Sequence, residues 1–316
     1  NYSAGQGQRQ ELVSGCPCEG EKLGYVFGTL LADAESFAEA ERLAEEERLL
    51  AEKRAERKNR HAVAVIIGNK TYDETTPAVD FAHNDAEAIR AFVRDTLGYR
   101  EGNVLVRHDA TKARLENMFG IAGNHRGRLD DLVRPDKSDV FVFYSGHGVP
   151  GLEDRRGYLL PVDGNPRRAE LTGYPLDLLY ENLGKLTARS VTVVLDACFS
   201  GETPKGFLVR GVSGAMPNPH SLDDGVALTI LTAAHSDQMA TWDSGRKLGL
   251  FTAHFLDGVG GIADGEEWGN GDGKVTLAEL QSYLDDEMTY QARRQKNTQQ
   301  AYIMGDPDTV LATYQH

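Results

Sequence analysis

From residue 61 onward the apolar positions follow two alternating rhythms. The run "AVAVIIG" (62–68) is unbroken and stops at glycine, the pattern of a strand buried on both faces. Residues 84–98 then place Ala88, Ile89, Phe92, Val93 and Leu97 at helical spacing, with Asn84 or Asp85 as the cap. The pair of rhythms repeats: strands are predicted at 103–110, 139–148, 190–198 and 225–234, and helices at 111–124, 175–186 and 249–261. A regular β-α-β order implies an α/β fold with a mainly parallel sheet and helices on both faces. In such sheets functional groups belong at the carboxyl ends of the strands.

The first sixty residues break this pattern. Residues 1–22 are polar and rich in Gly and Gln, which reads as loop or disorder. Residues 33–60 are strong helix formers with interleaved charges, and Leu30, Phe37, Leu43 and Leu50 make a thin apolar stripe. Two readings stay open for this helix: a solvated spacer, or a coiled-coil or partner-docking element. The expected organisation is an N-terminal helical extension over 1–60 and one domain over 61–316.

The chain has 316 residues, a formal charge of −14 and no apolar run long enough for a transmembrane helix. The negative balance excludes nucleic acid and anionic membranes as default partners and suits basic protein or peptide substrates. Cys16, Cys18 and Cys198 make no disulfide framework, and Cys16-x-Cys18 has no second pair with which to hold zinc. "LVSGC" before Cys16 superficially matches a lipoprotein cleavage box, but the residues ahead of it lack an apolar segment and a basic start. A reducing, cytoplasmic setting is expected.

Two predicted strand ends carry reactive side chains. "FVFYSGHG" ends on His147 between two glycines, and "VVLDAC" ends on Cys198, 51 residues later. Either residue alone reads most simply as a core residue. Placed together on one rim, each beside a glycine turn, they suggest an imidazole that takes a thiol's proton and a thiolate that attacks a carbonyl. Asp196 lies two residues before Cys198, so strand alternation puts its carboxylate on the face of the thiol. There it would pair with a cationic substrate side chain.

Together "YSGHG" and "DACFSG" resemble the caspase-like cysteine peptidases, on the metacaspase and bacterial orthocaspase side, and the resemblance runs from about residue 61 to 313. "GYLLPVDG", "LTAAHSDQMATW", "GLFTAHFL" and "NGDGKVTLAEL" are similar to bacterial members. The resemblance implies a caspase-like α/β/α sandwich, with a large-subunit-like part over about 61–200, a linker over 201–224 and a small-subunit-like part over 225–316. It implies His147 as general base, Cys198 as nucleophile, and the backbone N–H groups of Gly148 and Cys198 as the oxyanion hole. It also implies an S1 pocket of Asp85, Ser145 and Asp196, hence cleavage after Arg or Lys. Lys205 and Arg210 in the linker then become candidate self-cleavage sites. Two other functions remain open: a catalytically silent scaffold, and a related protease with a non-basic P1 preference.

No metal ligand set is assigned, and no cofactor is needed for thiol chemistry. Calcium is raised by two features. Asn270, Asp272, Gly273, Thr276 and Glu279 match the later positions of an EF-hand loop, but Trp268 stands where its first aspartate belongs. Asp163 and Asp177 resemble loop acids of calcium-activated relatives, whereas Lys205 replaces another expected carboxylate.

Overall fold

The computed structural model describes residues 59–314 except 75, 204–205, 209–225 and 236–237, together with residue 42. Contacts divide the chain into Asn1–Lys53 and Arg54–His316, and the architecture given is that of the second unit. Nearly all of the charged helix predicted over 33–60, and both Cys16 and Cys18, lie outside the described residues.

Six strands form the central sheet: β1 (Val63–Gly68), β2 (Val104–His108), β3 (Asp139–Ser145), β4 (Ser190–Asp196), β5 (Leu228–Thr232) and β6 (Tyr302–Met304). Their spatial order is β6-β5-β4-β3-β1-β2. All neighbours run parallel except β5 and β6, which are antiparallel. The sheet is therefore mixed but mostly parallel. β6 was absent from the sequence-based expectation, because three residues at a sheet edge give no periodicity to read.

Strand alternation sorts the core into two layers. Ala64, Ile66, Phe141, Phe143, Val194 and Leu231 pack on one face, beneath α1 (Ala82–Asp95), α4 (Leu250–Val259) and α5 (Leu277–Tyr283). Val63, Val65, Ile67, Val140, Val142, Tyr144, Val193 and Leu195 pack on the other, against α2 (Lys112–Phe119) and α3 (Leu176–Gly184). Strands sandwiched in this way are apolar at nearly every position, which explains the unbroken runs. Each Val, Leu, Ile or Phe among them contributes about 1.5–3 kcal/mol by leaving water.

Two boundaries bear on the site. β3 ends at Ser145 and β4 at Asp196, so His147 and Cys198 stand on the turns just past the strands. Helix α1 begins at Ala82, with Phe81 as its cap residue. Asp85 therefore lies inside the first turn and is buried, not capping the helix. Among the described residues, no helix is long and apolar enough to cross a membrane.

The segment resembling an EF-hand closes on an anion. Asp264 accepts from the N–H groups of Gly271 (2.8 Å), Asp272 (3.1 Å) and Gly273 (2.9 Å) and from the Tyr314 hydroxyl (2.6 Å). That hydroxyl, more than any other contact, holds the Asp264 carboxyl below the ordinary range. Glu279 is committed to a capping box with Thr276 at the start of α5. The amides of Gly271, Asp272 and Gly273 are thus gathered on a carboxylate from outside the matched positions. Replacing it strands the donors converging on it, so Asp264→Ala should lower the melting temperature at pH 7. An unchanged melting curve would show that the loop is not organised on this carboxylate.

Candidate active site

Parallel pairing of β3 with β4 runs in register from Asp139↔Ser190 to Ser145↔Asp196. Two residues beyond that last pair, each chain delivers its reactive side chain: His147 on one, Cys198 on the other. The turns themselves approach closely. A methyl group added to Gly148 would come within 2.7 Å of the Cys198 carbonyl oxygen and of the Phe199 ring, so only glycine lets the strands end this near each other. Both reactive residues line one narrow cleft of about 30 Å³ together with Val79, Asp85, Ser145, Asp196, Thr203, Ala240 and Trp242.

The imidazole of His147 is buried and held from several sides. Its Nε2 lies 2.6 Å from the Pro77 carbonyl oxygen. A carbonyl only accepts, so Nε2 carries the proton and the neutral ring is basic at Nδ1. The His147 N–H donates to the Tyr72 hydroxyl oxygen (2.9 Å), and the Tyr144 hydroxyl donates to the His147 carbonyl (2.9 Å). The Tyr72 ring lies against the imidazole, with centroids 4.7 Å apart. Burial raises both phenols above the ordinary tyrosine range, leaving them neutral hydrogen-bonding groups. Cys198 is half-buried, and its Sγ accepts from the N–H of Ala240 (2.7 Å).

The cleft floor is acidic. Asp85 from α1 and Asp196 from the end of β4 are 1% and 7% exposed. Asp85 accepts from the Ser145 hydroxyl (2.7 Å) and from the Gly249 N–H (2.8 Å). Asp196 accepts from the N–H and hydroxyl of Thr252, at 3.1 and 2.6 Å. These backbone donors belong to the N-terminus of α4, so the helix's positive end faces the carboxylates. Gly249 must be glycine, since a β-carbon there would lie 2.1 Å from Asp196 Oδ2. Burial pushes Asp196 up to about 6 against the lowering effect of the Thr252 donors. Burial, followed by the charge of Asp196, raises Asp85 well above the carboxylate range. With no cation bound, the pair keeps a proton at pH values where exposed carboxylates have lost theirs.

All five side chains singled out by sequence, His147, Cys198, Asp85, Ser145 and Asp196, therefore meet in one cleft, and Gly148 adjoins it. Lys205 and Arg210 lie outside the described residues. Asp177 pairs with Arg156 (2.5 Å), and Asp163 accepts from the Lys112 N–H (2.9 Å). Among the described residues, no cluster of three or more His, Cys, Asp or Glu is placed to hold a metal ion. Sequence reading missed the contributions of Pro77, Tyr72, Gly249 and Thr252. Pro77 and Gly249 act through backbone groups alone, which leave no residue-type signal.

A family model described as the caspase domain matches residues 61–303. Among solved structures, the protein GSU0716 from Geobacter sulfurreducens is similar at 19% identity and TM-score 0.50, over 78% of this chain and 94% of that one. Caspase-1 from Spodoptera frugiperda is similar at 12% identity and TM-score 0.51, over 80% of this chain and 89% of that one. At these identities the likeness to both is one of fold. No curated protein sequence matches.

The buried acid pair has a cost in stability. An acid raised from 3.8 to about 6 on folding binds more protons folded than unfolded, so stability falls as pH rises through that window. Asp196→Asn removes the effect while an amide oxygen can still accept from Thr252. At pH 7.5 the variant should be more stable by about 1–3 kcal/mol, with the difference vanishing near pH 4. Equal urea midpoints at pH 7.5 would contradict a strained carboxylate.

Proposed function

This chain belongs to the caspase-domain peptidase family, and we propose that it is a cysteine endopeptidase of the metacaspase and orthocaspase kind, cleaving after Arg or Lys. The observation that carries this reading is the one cleft that His147, Cys198, Asp85 and Asp196 line together.

In the proposed reaction, a basic P1 side chain enters the cleft and its cation takes the place of the proton held by the acid pair. Nδ1 of His147 takes the proton of Cys198, and the thiolate adds to the scissile carbonyl. The N–H groups of Gly148 and Cys198 receive the developing oxyanion, each worth about 3–4 kcal/mol in the transition state. The imidazolium then protonates the leaving amine as the C–N bond breaks. Water activated by the same imidazole adds to the acyl-enzyme and releases the carboxylate product with the thiol restored. Because Nε2 is bound to Pro77, the ring keeps one orientation through both half-reactions.

Buried carboxylates with helix-terminus donors favour this specificity over a non-basic one: an acidic P1 would add a third negative charge, and a neutral P1 would leave the pair uncompensated. A silent scaffold would have no use for an oriented imidazole beside a thiol. The reading also extends to self-cleavage after Lys205 or Arg210, visible as nicking that the Cys198→Ala protein does not show.

Hydrolysis of a fluorogenic peptide ending in Arg should fall by about 10⁴-fold or more in Cys198→Ala. An Arg-peptide left uncut by the parent protein, across P1 residues and with or without calcium, would contradict the peptidase reading. Specificity has its own pH signature. The ratio of kcat/KM for P1 Arg to that for P1 norleucine should rise as Asp196 ionises through about pH 6, since kcat/KM reports the free enzyme. Titration of the His–Cys pair cancels in the ratio. A ratio flat from pH 5 to 8 would remove the acid pair from P1 recognition.

A further inference from the structure

The segment "KNTQQ" (296–300) links helix α6 (Thr289–Arg294) to strand β6. Its amide side chains converge on the residues beside the thiol. Gln299 is fully buried. Its Oε1 accepts from both the N–H (2.8 Å) and the hydroxyl (2.9 Å) of Thr241, and its Nε2 donates to the Ala233 carbonyl (3.0 Å) just past the end of β5. Asn297 Nδ2 donates to the Met239 carbonyl (2.7 Å), and the Gln300 N–H donates to the side chain of Gln238 (2.8 Å). Peptide groups on both sides of Ala240 are thus pinned, and the Ala240 N–H itself points at Cys198 Sγ (2.7 Å).

Buried side-chain amides are retained only where their groups are paired, and here the pairing serves a strap of backbone whose free donor meets the nucleophile. We propose that Gln299 and Asn297 are positioning residues that hold the Ala240 N–H on the sulfur of Cys198, so that the strap supplies the thiolate with a hydrogen bond. A donor aimed at sulfur favours the anion over the thiol, because charge strengthens the bond about twofold. His147 takes the proton, and the strap stabilises the charge left behind. The assignment rests on Cys198 being the nucleophile, but its test does not depend on hydrolysis.

The pH dependence of Cys198 alkylation by iodoacetamide reads the thiolate directly. Mass spectrometry of the Cys198 peptide separates it from Cys16 and Cys18. Gln299→Met keeps the side chain's length and removes both amide groups; Asn297→Ala removes the second tether at a half-buried position and covers the case in which Gln299→Met fails to fold. In each folded variant the alkylation midpoint should move up by about one pH unit, and the rate below the midpoint should fall about tenfold. The rate of the fully ionised thiolate should change far less. Midpoints that coincide with the parent's, whatever happens to melting temperature or hydrolysis, would overturn the assignment and leave the amides as structural ties. A shifted midpoint in a protein that cuts no peptide would uphold the strap and refute the peptidase.

Discussion

Everything at the rim depends on one constraint, the register of the parallel pair β3 and β4, which ends with Ser145 opposite Asp196. A parallel ladder places equivalent residues side by side, so both chains leave the sheet at the same height and the two residues beyond the pair are neighbours. A slip of β4 by one residue would turn Asp196 together with Cys198 from the α1 and α4 side to the opposite face and separate both from Asp85, Ser145 and His147. The register is secured by the two-sided apolar core: Phe141, Phe143 and Val194 must face one layer, and Val140, Val142, Val193 and Leu195 the other. Hydrophobic sorting far from the cleft thereby positions groups that are themselves polar.

The cleft works against the fold that builds it. Two carboxylates on a buried floor repel and lose hydration, and the N-terminus of α4 with the Ser145 and Thr252 hydroxyls offsets only part of that penalty. What remains is a site that, in the proposed reading, is completed when a cation enters. Such a site gains specificity from its own unfavourable electrostatics, because the ligand that relieves them is favoured over any neutral one of the same shape. The same economy appears at the imidazole, where a backbone carbonyl at Pro77 selects the tautomer without adding a further charge to the cleft.

The strands and helices that build this layout were readable in the chain because each is buried in a regular way. β1, β3 and β4 are apolar at nearly every position, and α1 shows one apolar stripe. His147 and Cys198 could be paired from their glycine turns, and Asp196 could be placed by strand parity. Asp85 and Ser145 came from resemblance rather than from periodicity, as Asp85 sits at a position that also reads as a helix cap. Ends of elements were less readable: the predicted strands overran into the turns that hold the reactive residues. Contributions of backbone groups at Pro77, Ala240 and Gly249, and of the amides at Asn297 and Gln299, left no trace in residue type. They depend on which peptide groups three-dimensional packing leaves pointing into the cleft.

The central claim is that thiol, imidazole and acid pair serve one bound side chain. A crystal structure of the protein inactivated by a peptidyl chloromethyl ketone with arginine at P1 tests it most directly. The account predicts a thioether at Cys198 Sγ and a guanidinium within hydrogen-bonding distance of both Asp85 and Asp196. An adduct whose arginine turns away from those carboxylates, or a reagent that leaves Cys198 unmodified, would contradict it.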